Sequence, residues 1–250
     1  MSVTGRAKKD WFTSTDSTLG EEYEAKAVRD HPYFVKVKSH RFMGIVEQHM
    51  GDLNQLTCLD IGCGTGETAV WLSPHFREVH GVDYARGMIA SARKRKLPNC
   101  TFEVADSTHL NYEDNSFDTA VFFNVLHHVE SRRTLLSMLL ESRRVVRDGG
   151  LLVITELNPY NPVTRHVVNT IEIDKAVNLD GYGHGVFPTT LKPSECADIL
   201  RATGWAVAEM EFMVFFPQAL SFLLPMERLL KRLPLGGLYL VAARKGTQSA

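Results

Sequence analysis

Leu56-Thr57-Cys58-Leu59-Asp60-Ile61-Gly62-Cys63-Gly64-Thr65-Gly66 is a short hydrophobic run closed by an acidic residue and three glycines at alternate positions. The segment Leu56 to Ile61 reads as a buried strand, and Glu67 to Phe76 as the helix after it. A glycine turn between the two lets backbone approach a ligand closely, because no Cβ intervenes. It also aims the amide hydrogens of the helix start at one point. Alone, such a turn specifies only a nucleotide-like ligand.

Outward from this stretch the chain alternates strand and helix. Strands are expected at 56–61, 78–83, 100–105, 118–124 and 150–156, with helices at 66–75, 85–96 and 131–147. The last helix is expected to stop at Asp148-Gly149-Gly150, followed by a tight turn. Thr119 to Phe123 and Leu151 to Ile154 are continuous apolar runs, as in strands of a parallel sheet covered on both faces. Later come a helix from Pro193 to Thr203, a strand from Trp205 to Phe215, an apolar helical segment from Ala219 to Leu233 and a strand from Leu238 to Ala243. The last two strands predict an antiparallel pair on the edge of the sheet. Before the glycine turn, Glu21 to Met50 reads as one or two helices broken near His31-Pro32. Between the halves, Asn158 to Lys192 holds three prolines and three glycines around a helical-looking stretch, Val163 to Val177. We read 158–192 as an excursion covering the ligand-binding edge.

The chain has 250 residues, 44% of them hydrophobic and 23% charged, with formal net charge −1. That length suits one α/β domain with additions. Near-neutral charge gives no basic face for nucleic acid, so a nucleic-acid partner is not expected. The run Arg93-Lys94-Arg95-Lys96 reads as a solvated helix terminus. Cys58, Cys63, Cys100 and Cys196 lie far apart without a C-x-x-C pair, as expected of reduced thiols in a cytoplasmic protein without a bound metal. The first residues carry Arg6, Lys8, Lys9 and Asp10 and show no apolar signal segment. Phe212 to Met226 is uncharged but too short, and too interrupted by Pro217 and Pro225, to span a bilayer.

The notable polar residues fall at predicted strand ends, where ligands bind in open α/β sheets. Asp60, Asp83, Asp106 and Glu156 close the first, second, third and fifth strands, and Asn124 with His127-His128 follow the fourth. A carboxylate at position 83 can accept hydrogen bonds from both hydroxyls of a ribose. One at 106 can accept from an adenine amino group. Either can instead cap the next helix.

The stretches LDIGCGTGETA, VDYARGMI, FEVADSTHL, SFDTAVFFNVLHHV and RVVRDGGLLVITE resemble the class I S-adenosylmethionine (SAM)-dependent methyltransferases in order and spacing over roughly residues 55–157. The resemblance implies a Rossmann-like α/β fold: a seven-stranded, mostly parallel sheet with an antiparallel C-terminal strand and helices on both faces. It also implies SAM as cofactor and S-adenosylhomocysteine as product. Carried over by position, Gly62, Cys63, Gly64 and Gly66 would wrap the methionine part, with Asp60 beside its amino group. Asp83 and Tyr84 would meet the ribose side. Met88 would pack on adenine, or simply be helix core. Asp106 and Ser107 would bind the adenine edge, and Asn124 would face the transferred methyl. Residues 1–50, with Tyr23 and Tyr33, would form a helical lid, and 51–250 the SAM-binding domain. The segment Glu156 to Arg165 is similar to a bacterial branch thought to act on small molecules, glycans or lipid-linked precursors.

Methyl transfer needs alignment of acceptor, methyl and sulfur, which supplies roughly 7–11 kcal/mol of barrier reduction in favourable cases. A hydroxyl acceptor gains a further factor of about 10²–10⁴ from a base. His127, His128, His184 and Glu156 are candidates; the paired histidines can equally hydrogen-bond backbone at a strand–helix junction. Tyr160, Arg165 and Tyr182 are candidates for contact with the acceptor, though an ion pair within its own helix also accounts for Arg165. The apolar stretch from Phe212 to Leu233, with Arg228, Lys231 and Arg232, suits either weak membrane-surface association or burial in the core or in a homodimer. A monomer is equally open. The expected function is methyl transfer to a small molecule, foremost at a hydroxyl. The alternatives are a nicotinamide-dependent oxidoreductase and a non-catalytic SAM-binding module. The first asks for G-x-G-x-x-G, whereas position 67 is Glu.

Overall fold

A computed structural model describes residues 31–129, 131–166 and 191–246. Seven strands form one sheet: β1 (Thr57–Ile61), β2 (Glu78–Asp83), β3 (Cys100–Val104), β4 (Phe117–Phe123), β5 (Val146–Leu157), β6 (Trp205–Met213) and β7 (Leu238–Lys245). Their order is β3-β2-β1-β4-β5-β7-β6. The first five are parallel, and β7 runs antiparallel between β5 and β6. The antiparallel pair read from the end of the sequence is therefore present. Strand order reverses between β1 and β4, which opens a crevice at their carboxyl ends.

Alternation along the strands sorts side chains onto two faces. Cys58, Val79, Val121, Val153 and Leu240 lie in one core with residues of α1 (His31–Met50), α2 (Glu67–Leu72) and α3 (Arg86–Lys94). Leu59, Ala120, Leu152, Ile154 and Val241 lie in a second core under α4 (Arg132–Val145) and α5 (Pro193–Ala202). A further helix, α6 (Leu224–Leu230), follows the 3-10 stretch Gln218–Leu223 beyond β6.

Residues 31–50 of the expected lid pack against the sheet as α1. Phe42, Met43, Ile45 and Val46 of α1 belong to the first core, where Phe42 stacks on Phe76 and meets Phe123 edge-on. Arg41 pairs with Glu211 of β6, and Arg244 of β7 donates to the His49 carbonyl at 3.0 Å, fixing both halves of this helix to the sheet. Residues 1–30, Tyr23 among them, lie outside the described residues. One expectation needs correction: Asp148-Gly149-Gly150 lies inside a strand. α4 ends at Val145 and β5 begins at Val146. The register with β4 jumps from Phe117↔Val146 to Thr119↔Leu151, a bulge that the glycines accommodate. A Cβ on Gly150 would stand 2.6 Å from the Asp118 carbonyl oxygen.

If α1 is a wall of the core, Phe42→Ala leaves a cavity between Phe76 and Phe123. The expected loss is about 3–5 kcal/mol in urea unfolding. A loss below about 1 kcal/mol would show that α1 is only loosely attached.

Candidate active site

The glycine turn follows β1 into the crevice. Gly62, Gly64 and Gly66 all have positive φ, at 78°, 54° and 75°, a conformation that L side chains rarely adopt. A Cβ on Gly62 would strike Val125, whereas one on Gly64 would meet no protein atom within 4 Å. Gly64 is thus where backbone lies open to a ligand. Asp83 fixes it there: one oxygen accepts from the Gly64 N–H at 2.9 Å and the other from the Ala85 N–H at 2.8 Å. Burial raises the Asp83 pKa, opposed by these amide hydrogens. Cys63 turns its side chain into the first core, so only its backbone can serve a ligand. The basic run at the end of α3 does more than face water. Arg93 donates to the Phe102 carbonyl at 2.9 Å and Arg95 to the Thr65 carbonyl at 2.6 Å, bracing the glycine turn from behind.

Asp60 alternates with Leu59 and Ile61 and so faces the α1 side of the sheet. It is 1% exposed, and neither carboxylate oxygen has a hydrogen-bond partner among the described residues. Burial lifts its pKa to about 7, with Lys38 opposing and Asp83 adding to the rise. Sequence reading missed Lys38. It lies in α1, is 9% exposed and donates to Asn124 Oδ1 at 2.9 Å. Burial lowers its pKa to about 8, against the attraction of Glu156, Asp60 and Glu67. Asn124 follows β4 with φ of 58°, a left-handed geometry that Asn tolerates, and its N–H donates to the Thr155 carbonyl. Asp60, Lys38 and Asn124 thus converge from three elements on the crevice.

Glu156 leaves β5 on the opposite face. It is 1% exposed and accepts from the Leu126 N–H and from His127 Nδ1, both at 2.6 Å. Such a carboxylate holds the turn Leu126–His128 and orients a buried imidazole; it does not stand open as a base to an acceptor. The expectation of Glu156 as the base is corrected to a positioning role. With Nδ1–H given to Glu156, Nε2 of His127 becomes the basic nitrogen. His128 is exposed, its ring 4.1 Å from that of His127.

The other expected residues are spread around the rim. Met88 is buried on the first turn of α3, and Tyr84 is 56% exposed just past β2. Asp106 is exposed, and one oxygen accepts from the Thr108 amide and hydroxyl. It caps its own turn rather than a following helix, through one oxygen. Ser107 is half-buried beside it. Tyr160 and Arg165 are exposed beyond β5, while Tyr182 and His184 lie outside the described residues. Also unforeseen was the anchoring of the covering excursion. Buried Asn158 donates to the carbonyls of Pro234 and Gly236, and Asn161 to that of Leu235. These bonds tie its first residues to the turn before β7.

Residues 59–154 match the family model of a methyltransferase domain. A demethylmenaquinone methyltransferase of Paenarthrobacter aurescens is 35% identical over 111 residues, 44% of this chain and 42% of that protein. A probable tRNA methyltransferase 9B of Bos taurus is 32% identical over 138 residues, 53% of this chain and 27% of that protein. The matches thus span less than half the length of these relatives. The crystal structure of a SAM-dependent methyltransferase from Mesorhizobium loti superposes with a TM-score of 0.58 at 22% identity, covering 81% of this chain and 96% of that one. The fold is that of the Rossmann-like methyltransferases.

SAM is the cofactor of this class, and the residues present suit it. Its ammonium group is the kind of partner that the two bare oxygens of Asp60 lack, and its extended body needs backbone without Cβ, as at Gly64. Without a ligand, Asp60 makes stability pH-dependent. Its folded pKa, about 7, stands above the ordinary value of 3.8. The folded chain therefore holds the proton more tightly, and stability falls as pH rises from about 4 to about 7. Asp60→Asn removes that slope. The unliganded variant should gain on the parent between about pH 5 and about pH 7.5, read from urea midpoints. Equal differences at both pH values would show that Asp60 titrates normally.

Proposed function

We propose that this chain, which carries a class I SAM-dependent methyltransferase domain, transfers a methyl group to a small-molecule acceptor in the cytoplasm, foremost to a hydroxyl. The observation that carries this reading is a buried carboxylate without a hydrogen-bond partner among the described residues, Asp60, beneath a left-handed three-glycine turn. Bound SAM supplies a methyl group already activated on a sulfonium. Asp60 accepts from its ammonium group, and the backbone of Gly62 to Gly66 runs along the methionine part. Asp83 already accepts the amide hydrogens of Gly64 and Ala85, and its carboxylate keeps lone-pair capacity for a ribose hydroxyl. Met88 and Tyr84 flank the adenosine, and Asp106 and Ser107 meet its edge. Asn124, held by Lys38, faces the reacting centre.

On the acceptor side, Glu156 fixes the ring of His127, and Nε2 takes the proton of an acceptor hydroxyl as the oxygen–carbon bond forms. His128, Tyr160 and Arg165 stand where an acceptor enters. Residues Tyr182 and His184 belong to the same proposed cover. A small molecule is favoured over a nucleic acid by the net charge of −1, although one relative is named for tRNA methylation. A natural product, a glycan or a lipid-linked precursor fits that requirement.

The reading is tested at the cofactor. Asp83→Ala removes the ribose acceptor and releases Gly64, so SAM binding should weaken by more than about tenfold in calorimetry. Unchanged affinity would remove Asp83 from the site.

A further inference from the structure

Leu229 and Phe222 are 82% and 73% exposed, more than any other large apolar side chain described. Met226 and Leu229 lie one turn apart on α6, while exposed Phe222 and Leu233 flank that helix at its two ends, so the four make an outward-facing apolar row. The opposite side is used internally. Glu227 accepts from the amide hydrogens of Val214 and Phe215, and Lys231 pairs with Glu209 and Glu211 of β6. The segment is therefore seated on the protein with its apolar side turned outward. Val214, a β-branched residue at φ of 61°, is held in that strained geometry by this seating.

Position and charge say what this side meets. The segment hangs from the end of β6 and is tied by Asn158 to the turn before β7, at the same rim of the sheet as Asn124 and Glu156. The Tyr33 hydroxyl at the start of α1 donates to the Phe216 carbonyl at 3.3 Å, closing the connection to the cofactor side. From Phe212 to Leu240 the sequence has a single acid, Glu227, whose oxygens face the Val214 and Phe215 amides. Arg228 and Arg232 stand exposed beside the apolar row. A second copy of the chain across a two-fold axis would bring the same cations toward each other. An apolar row with a basic margin complements an anionic partner whose interior is apolar.

We propose that this face docks on an anionic lipid surface and presents the crevice to an acceptor held in that surface. Docking stands on the face alone; delivery of the acceptor rests on the methyl-transfer reading. The apolar row enters the acyl boundary, while Arg228 and Arg232 remain among the headgroups.

The test is co-sedimentation of the full chain with vesicles of phosphatidylcholine alone and of equimolar phosphatidylcholine and phosphatidylglycerol, with SAM affinity measured separately by calorimetry. The parent should sediment with the anionic vesicles at least about tenfold better than with the neutral ones. Phe222→Ser/Leu229→Ser should lose at least about tenfold in vesicle binding, and Arg228→Gln/Arg232→Gln should lose the anionic preference. Both variants change exposed side chains and should keep the parent's circular dichroism and SAM affinity. Absence of parent sedimentation with either vesicle, or parent-like vesicle binding by both variants, overturns the proposal. A dimer in sedimentation velocity that the Phe222→Ser/Leu229→Ser variant dissociates, without vesicle binding by the parent, gives the face to a second copy instead. Vesicle binding without SAM affinity would leave docking standing and the cofactor reading fallen.

Discussion

A carboxylate buried without a hydrogen-bond partner among the described residues is the constraint around which this fold is arranged. Asp60 stands on β1, an interior strand beside the point where strand order reverses, with α1 over it, and water is excluded from both oxygens. Burial of a charge is costly unless it is paired, and here the protein supplies only a partial answer. Lys38 lies near enough to lower the Asp60 pKa, but its ammonium goes to Asn124. The pKa values of both groups move toward neutrality, Asp60 upward and Lys38 downward, with burial the largest cause in each. On the proposed reading, the ammonium group of the cofactor would meet the bare acid, and the stability forgone in the free chain would become affinity for the cofactor.

Much of this was legible in sequence because the signals are local. A hydrophobic run followed by glycines fixes strand and turn within a dozen residues, and continuous apolar strands specify a sheet covered on both faces. The end of α4 was misplaced because Asp148-Gly149-Gly150 looks like a helix stop. Whether such glycines end a helix or bulge a strand depends on what pairs beside them, and here β4 decides. Lys38 was not legible for a related reason. In Lys36-Val37-Lys38-Ser39-His40-Arg41 it resembles a solvated lysine, and only Asn124, 86 residues away, shows it to be internal.

The carboxylates behave less uniformly than their shared place at strand ends suggests. Asp60 is bare, Asp83 holds the glycine turn, Asp106 caps its own loop and Glu156 orients a histidine. Alternation along the strands accounts for much of this difference. Asp60 and Glu156 emerge on opposite faces, one toward α1 and one toward α4 and α5. Position along a strand puts a residue at the rim, and its parity decides which half of the chemistry it can reach.

That parity also divides the chain into two kinds of structure. The proposed cofactor side draws on β1, β2, β4 and α1, all packed into the first core, where a shift in one element disturbs the others. The proposed acceptor side is built from the turn after β4 and from β5 onward, and its outer pieces are joined by polar bonds at a few points: Asn158 to Gly236, Glu227 to Phe215, Tyr33 to Phe216. Such attachments fix the ends of a segment while leaving its outer surface unconstrained by packing. An acceptor site on this scaffold can therefore change its outer chemistry, including an apolar row such as that of Phe222 and Leu229, without disturbing the buried charge beneath the glycine turn.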